Sequence, residues 1–226
     1  MQTIKDDVLF PPASIYQVQK KDILSTAGVL TEAFLNDPFF KYIMNGDYGR
    51  DKLYYFQQFT VRYGMKYGNV FASSGNIEGA AVWLPPGSTH IGAIRFVKGG
   101  GVILRQLFPR NLSERFKFFT RLLNYSNYSN EIHIRNAPFP HWYLMAIGIS
   151  DKYRQQGYAS RLMKPMLEYF DSINIPCYLE THNEKNLAIY EHFGFRITEA
   201  GKLPGTDKPH FAMMRGRYPI NQKKSK

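Results

Sequence analysis

The sequence predicts an α/β fold, a sheet covered by helices, and three observations carry that prediction. From Trp142 onward, short apolar runs of strand length alternate with stretches of helical register. Earlier, two strand-like runs flank Ser74-Gly75-Asn76 in the manner of a hairpin. The chain has 226 residues, 44% of them hydrophobic and 21% charged, which suits one large globular domain with a real core.

The elements follow in order. Ile23, Ala27, Leu30 and Phe34 share one face of a helix expected over Lys21 to Asn36, which Pro38 stops or redirects within NDPFF. A second helix, about Arg50 to Lys66, carries Tyr54, Tyr55, Phe56, Phe59 and Tyr63, an aromatic stripe that reads as core. Strands are expected over Asn69 to Ser73 and Ile77 to Leu84, the second ended by Pro85-Pro86-Gly87. Residues 91–136 read as helical pieces broken by Gly99-Gly100-Gly101 and Pro109, an insertion between strands, with Phe116, Phe119 and Leu123 marking one apolar face. The last third gives a strand Trp142 to Ser150, a helix Gly157 to Ser172 and a strand Cys177 to Thr181. A helix Asn183 to His192 and strands Phe195 to Ala200 and His210 to Met214 complete it. Pro165 lies inside the helix after Gly157 and predicts a kink rather than an end, because Met166, Leu167 and Phe170 continue the apolar register.

Lysine and arginine exceed aspartate and glutamate by 29 − 18 = 11. Arg95, Lys98, Arg105, Arg110, Arg115, Lys117 and Arg121 face only Glu114 between them, and a KKSK tail closes the chain. Such a balance favours anionic partners, although a solvated face plus a tail explains it equally. No apolar run approaches the roughly 18–20 residues of a membrane span, and the start lacks a secretory pattern, so a cytoplasmic protein is expected. Cys177 is the only cysteine, which excludes an internal disulfide and a cysteine metal cluster. The histidines offer no metal-ligand spacing with carboxylates, and no metal site is expected.

The segment Leu144 to Phe170 carries the chemistry. A strand runs into a turn holding RQQGYA, Arg154 to Ala159, directly before a helix whose Leu162, Met163, Met166, Leu167 and Phe170 form one buried face. Gly157 lets a ligand approach the backbone, and the first helical turn offers free N–H groups and a positive dipole end to a pyrophosphate. Lys152, Arg154 and Arg161 add positive charge. No Gly-Lys-Ser/Thr follows, so this is not a Walker loop, and the paired glycines of a dinucleotide fingerprint are missing.

This stretch resembles the cofactor motif of the GNAT superfamily of acyl-CoA N-acyltransferases, Arg/Gln-x-x-Gly-x-Gly/Ala. Asn183, Tyr190 and the run Glu191-His192-Phe193-Gly194-Phe195 resemble the second signature of that family. LETHNEKNLAIYEHFGF and AVWLPPG are further similar to puromycin N-acetyltransferase-like members. The resemblance implies a mixed, mostly antiparallel sheet with helices on both faces, splayed between the strand ending near Ile149 and the one ending near Thr181. It implies one domain over 1–218, with the helical insertion at about 91–136 and a basic tail at 219–226. Acetyl-CoA is the implied cofactor, its pantetheine along Ile147, Gly148 and Ile149, and its pyrophosphate on Arg154, Gln155, Gln156, Gly157, Tyr158, Ala159 and Ser160. Asn183 and Asn186 either bond cofactor amides or cap the helix.

The implied activity is N-acetyl transfer to an amine of a small molecule, by direct attack in a ternary complex. Glu180 is the preferred general base, with a structural carboxylate as its rival role. Tyr190 is placed by the motif to protonate the thiolate, or else packs beneath the cofactor. His141 and His182 are alternative bases. Asp37, Phe39, Phe40, Tyr42 and Trp83 are acceptor-pocket candidates and equally good core residues. Two rivals remain: a catalytically silent acyl-CoA-binding or sensing module on the same fold and, ranked last, a nucleic-acid binder using the 95–121 run. The assembly is expected to be a monomer or homodimer.

Overall fold

The computed structural model describes residues 10–46, 49–108 and 111–216. Seven strands form one sheet: β1 Tyr16–Gln17, β2 Asn69–Ala72, β3 Gly79–Leu84, β4 Trp142–Ile149, β5 Cys177–Thr181, β6 Arg196–Lys202 and β7 Pro209–Arg215. Their order is β1-β2-β3-β4-β5-β7-β6, and only the β4–β5 pair is parallel. The sheet is therefore mixed, mostly antiparallel and open, as expected. The KKSK tail falls outside the described residues.

Every residue of β3 is buried, because helices cover both sides of it. On one face Trp83 packs with Trp142, Leu144, Leu179 and the apolar stripe of α6 Tyr158–Ser172. Trp142 stacks on Phe170 at 4.8 Å between ring centres, and Trp83 meets the same ring edge-on at 5.4 Å. On the other face Val82 and Ala146 pack against α1 Ile23–Phe34 and α3 Gly49–Tyr67 through Ala27, Leu30 and Val61. Gly148 on β4 is needed for that contact, since a Cβ there would come within 2.6 Å of the Ala33 methyl.

One helical expectation is revised. Pro38 does not merely stop a helix. It opens α2 Pro38–Ile43 as the first helical residue, with the Asp37 carboxylate accepting from the Phe39 N–H at 2.9 Å as the cap. Pro165 lies within a continuous α6, where it leaves the Arg161 carbonyl without its helical donor.

The segment between β3 and β4 forms α4 Ala93–Lys98, a 3₁₀ stretch Gly101–Leu107, and one unbroken helix, α5 Leu112–Asn136. α5 contains no Gly or Pro, and Asn111 caps it by accepting from the Ser113 and Glu114 N–H groups at 2.8 and 3.3 Å. Its C-terminal end is tied to β6, where Arg135 and Asn136 both donate to Glu199, at 3.0 and 2.7 Å. Among the described residues no helix is long and apolar enough to cross a membrane.

Candidate active site

The gap between β4 and β5 organises the site. The two strands pair only at Trp142–Cys177, Tyr143–Tyr178 and Leu144–Leu179, after which both continue apart. β4 is bulged at Met145: Val82 faces Ala146 and Trp83 faces Leu144, leaving one extra residue where the strands diverge. Beyond the bulge, Ile147, Gly148 and Ile149 pair with β3 on one side. Their backbone groups on the side towards β5 find no partner in that strand.

At the mouth of the gap lies the RQQGYA turn. Gln155 and Gly157 take left-handed backbone conformations, φ 61° and 79°. A Cβ at Gly157 would meet nothing within 4 Å, so its backbone faces open space. No side chain caps α6, and the first N–H groups of this 15-residue helix point out of it unclaimed. Arg154 pairs with Asp151 at 2.8 Å on the exposed surface, and the Arg161 guanidinium lies over the Tyr158 ring at 4.8 Å.

Glu180 is on the β5 side, on the face that turns toward α5. Its side chain is 3% exposed, so what exposure the residue keeps is main chain. Ser129 donates to one carboxyl oxygen at 2.7 Å, with the Tyr125 hydroxyl at 3.5 Å, and Tyr178 donates to the other at 2.7 Å. Burial nevertheless outweighs these donors and pushes the carboxyl up to about 7. His210 Nε2 lies 4.0 Å from the carboxylate and is buried with no hydrogen-bond partner among the described residues. His210 Nδ1 meets His182 Nε2 at 3.1 Å, and burial holds both imidazoles neutral, at about 4 and about 3.

Phe39 covers this cluster. Its ring stacks on His182 at 5.2 Å and touches Tyr125 at 4.5 Å. Burial raises the neighbouring Asp37 carboxyl to about 6 against the pull of two backbone donors. Tyr190 is held well above its ordinary value by burial and by the Asp37 charge, so it stays protonated. Glu180, Asp37, Phe39 and His182 thus gather at the divergence of β4 and β5, while Tyr190 packs on the α6-side core within electrostatic reach of Asp37.

Other candidates go elsewhere. Trp83 is fully buried in the α6 core on the opposite face of the sheet, and Phe40 packs on Leu53 behind α2, so neither reaches the gap. Tyr42 is buried in the cluster that holds Phe118 of α5. His141 is a satisfied structural residue, bonded to the Phe139 carbonyl at 2.6 Å and to His133 at 2.7 Å, near the closed end of the β4–β5 seam. Asn183 caps the short turn that follows it by accepting from Lys185 N–H at 3.1 Å, and the Asn186 amide donates to Thr181 at 3.4 Å. Sequence reasoning did not single out Tyr125, Ser129, Tyr178 or His210. Tyr178 lies two residues before Glu180 on the same strand face, a local signal for one of them.

Residues 125–195, which hold Ser129, the splayed strands, the turn, Glu180 and Tyr190, match the Acetyltransferase (GNAT) family. Over that stretch the chain is similar to a GNAT-family acetyltransferase domain. A curated relative, an uncharacterized N-acetyltransferase of Schizosaccharomyces pombe, is 26% identical over 181 residues, 79% of this chain and 72% of its own. A Corynebacterium glutamicum structure described as histone acetyltransferase HPA2 and related acetyltransferase superposes with a TM-score of 0.59 at 24% identity, covering 92% of this chain and 98% of that one. Arylalkylamine N-acetyltransferase 2 of Aedes aegypti gives 0.57 at 13% identity, over 89% and 97% of the two chains. These structural likenesses are to the GNAT fold. Acetyl transfer in general is the chemistry that the family match and the curated relative support.

Proposed function

We propose that this chain transfers the acetyl group of acetyl-CoA to an amine of a small molecule, by direct attack in a ternary complex. The observation that carries the reading is the pairing of an open β4 edge with a buried carboxyl, Glu180, poised at about 7 across the same gap. The residues present fit the cofactor. The unpaired edge at Ile147, Gly148 and Ile149 suits a strand-like pantetheine. The uncapped start of α6 and the open space at Gly157 suit a pyrophosphate.

Bound there, acetyl-CoA supplies an activated thioester. A backbone N–H of 147–149 polarises the acetyl carbonyl. Glu180, through the Tyr125 and Ser129 hydroxyls or a water, takes the proton that the amine loses as its N–C bond forms. Tyr190 returns a proton to the sulfur as the C–S bond breaks. An acceptor lying against Phe39 and Tyr125 meets aromatic walls and the half-buried Asp37 carboxyl, which favours a small amine with an apolar body.

Isothermal titration of acetyl-CoA into the purified protein tests this, with Gly157→Glu as control. Micromolar binding that disappears in the variant is expected, because the new side chain places a carboxylate in the open space and strains a left-handed position. A folded wild-type protein that binds no acetyl-CoA would end the reading.

A further inference from the structure

α5 is apolar on two faces, and the site uses only one of them. Phe118, Tyr125 and Ile132 are directed inward, to Glu180 and the sheet. On the other side Leu112, Phe116, Phe119 and Leu123 recur at spacings of four, three and four, which gathers them within an arc of about 60° along roughly 17 Å of helix. They are 79%, 75%, 38% and 61% exposed. Of the thirteen large hydrophobics exposed among the described residues, eight lie between Ile94 and Ile134. Isolated exposed leucines need no explanation, but a registered stripe of four does.

The same segment concentrates the positive charge. Between 91 and 123 the sequence holds seven arginines and lysines and one acid, Glu114, which Lys117 already engages at 2.9 Å. Arg105, Arg115 and Lys117 are exposed, and Arg115 lies over the Phe108 ring at 5.3 Å. A convex helix with a narrow apolar ridge between cations offers no groove for a folded partner. A second copy of this chain would bring its own cations onto the ridge. An anionic lipid surface meets both features: it takes the apolar side chains below its headgroups and pairs the flanking cations. Nucleic acid would use the charge and leave the ridge in water.

We propose that the N-terminal half of α5 docks this protein on anionic membrane surfaces, with Leu112, Phe116 and Leu123 inserted and the flanking arginines and lysines on the headgroups. The helix that covers Glu180 on its inner face is then the helix that rests on lipid.

Flotation of the full chain with vesicles tests the proposal, comparing phosphatidylcholine alone with phosphatidylcholine containing phosphatidylserine. Binding to the anionic vesicles at least tenfold above the neutral ones is expected, weakening with salt. Both Leu112→Ser/Phe116→Ser and Arg115→Glu/Lys117→Glu should lower it at least tenfold while melting like the wild type, since all four side chains are exposed. Absence of binding to anionic vesicles overturns the proposal. So does binding that responds to the charge pair but not to the apolar pair, the signature of bare electrostatics. A dimer seen by ultracentrifugation that Leu112→Ser/Phe116→Ser dissolves, with no vesicle binding, overturns it in favour of a second copy.

Discussion

Replacing Glu180 by glutamine should make the protein slower and, at alkaline pH, more stable. The carboxyl sits at about 7 in the fold against an ordinary 4.5. The native state therefore holds its proton through that window while the unfolded chain has released it. Ionised Glu180 costs no stability below pH 4.5, progressively more up to about 7, and a constant amount above that. The pKa difference of about 2.5, at ~1.36 kcal/mol for each unit, makes the full cost about 3 kcal/mol. Glutamine cannot ionise. It keeps one carbonyl to accept from Tyr178 or Ser129 but turns an amide on the other hydroxyl, a loss of about 1 kcal/mol. The variant should then gain about 2 kcal/mol at pH 9, roughly 4–8 °C in Tm, and lie close to the wild type at pH 5, where the shift already costs the native protein about 0.8 kcal/mol. With its general base gone, kcat should fall by about 10² to 10⁴. Thermal melts at the two pH values and steady-state rates on a panel of amines measure both effects. A variant within threefold of wild-type kcat would remove Glu180 as the base. A variant equally destabilised at pH 5 and pH 9 would refute the buried charge as the origin of the shift.

Tyr190→Phe should lower kcat about 10²-fold with little change in KM, if the hydroxyl protonates the departing sulfur; full activity would leave the ring a packing role only. Gly148→Ala should cost ~1–3 kcal/mol in chemical denaturation, because the new methyl lands 2.6 Å from Ala33 and 3.1 Å from Leu30, and an unchanged midpoint would mean α1 is not wedged there. Folding stability should fall as pH drops from 6 to 4.5. His133, His182 and His210 are held neutral down to about 3, 3 and 4, so the unfolded chain takes up three protons that the native state refuses. Asp37 and Glu180 oppose this with two protons that only the native state binds there, leaving a net slope near one proton, about 1.4 kcal/mol per pH unit. Denaturation curves that coincide across this range would contradict the neutral burial of the histidines.

The strand–turn–helix half of the candidate site was legible in the sequence because it is local. The strand, the turn with Gly157 and the apolar register of α6 follow one another without interruption, and each has its own spacing rule. Glu180 could be read from its strand, but its environment could not. Tyr125 and Ser129 come from 55 and 51 residues upstream, on a helix whose NYSNYSN stretch has weak helical propensity and whose C-terminal end is tied to Glu199 by Arg135 and Asn136. Trp83 was open to misreading for another reason. β3 is buried on both faces, so the alternation that tells inside from outside is absent, and nothing local says which core the indole enters. Asp37-Pro38 carried the signal for a helix start, read instead as the stop or redirection of the helix before it.

Leu84 and Tyr143 are direct neighbours across the β3–β4 ladder, so the long segment between them departs from and returns to a single point on the sheet. Closing such an excursion costs only about 0.6 kcal/mol for each doubling of its length. That segment supplies Tyr125 and Ser129 to the carboxyl and Phe118 to the cluster behind α2, yet among its described residues before β4 none forms a strand of the sheet. On the proposed function that segment is the acceptor wall, built as a cassette: its length and side chains can change, and with them the amine it would accommodate, while the β3–β4 ladder keeps its register.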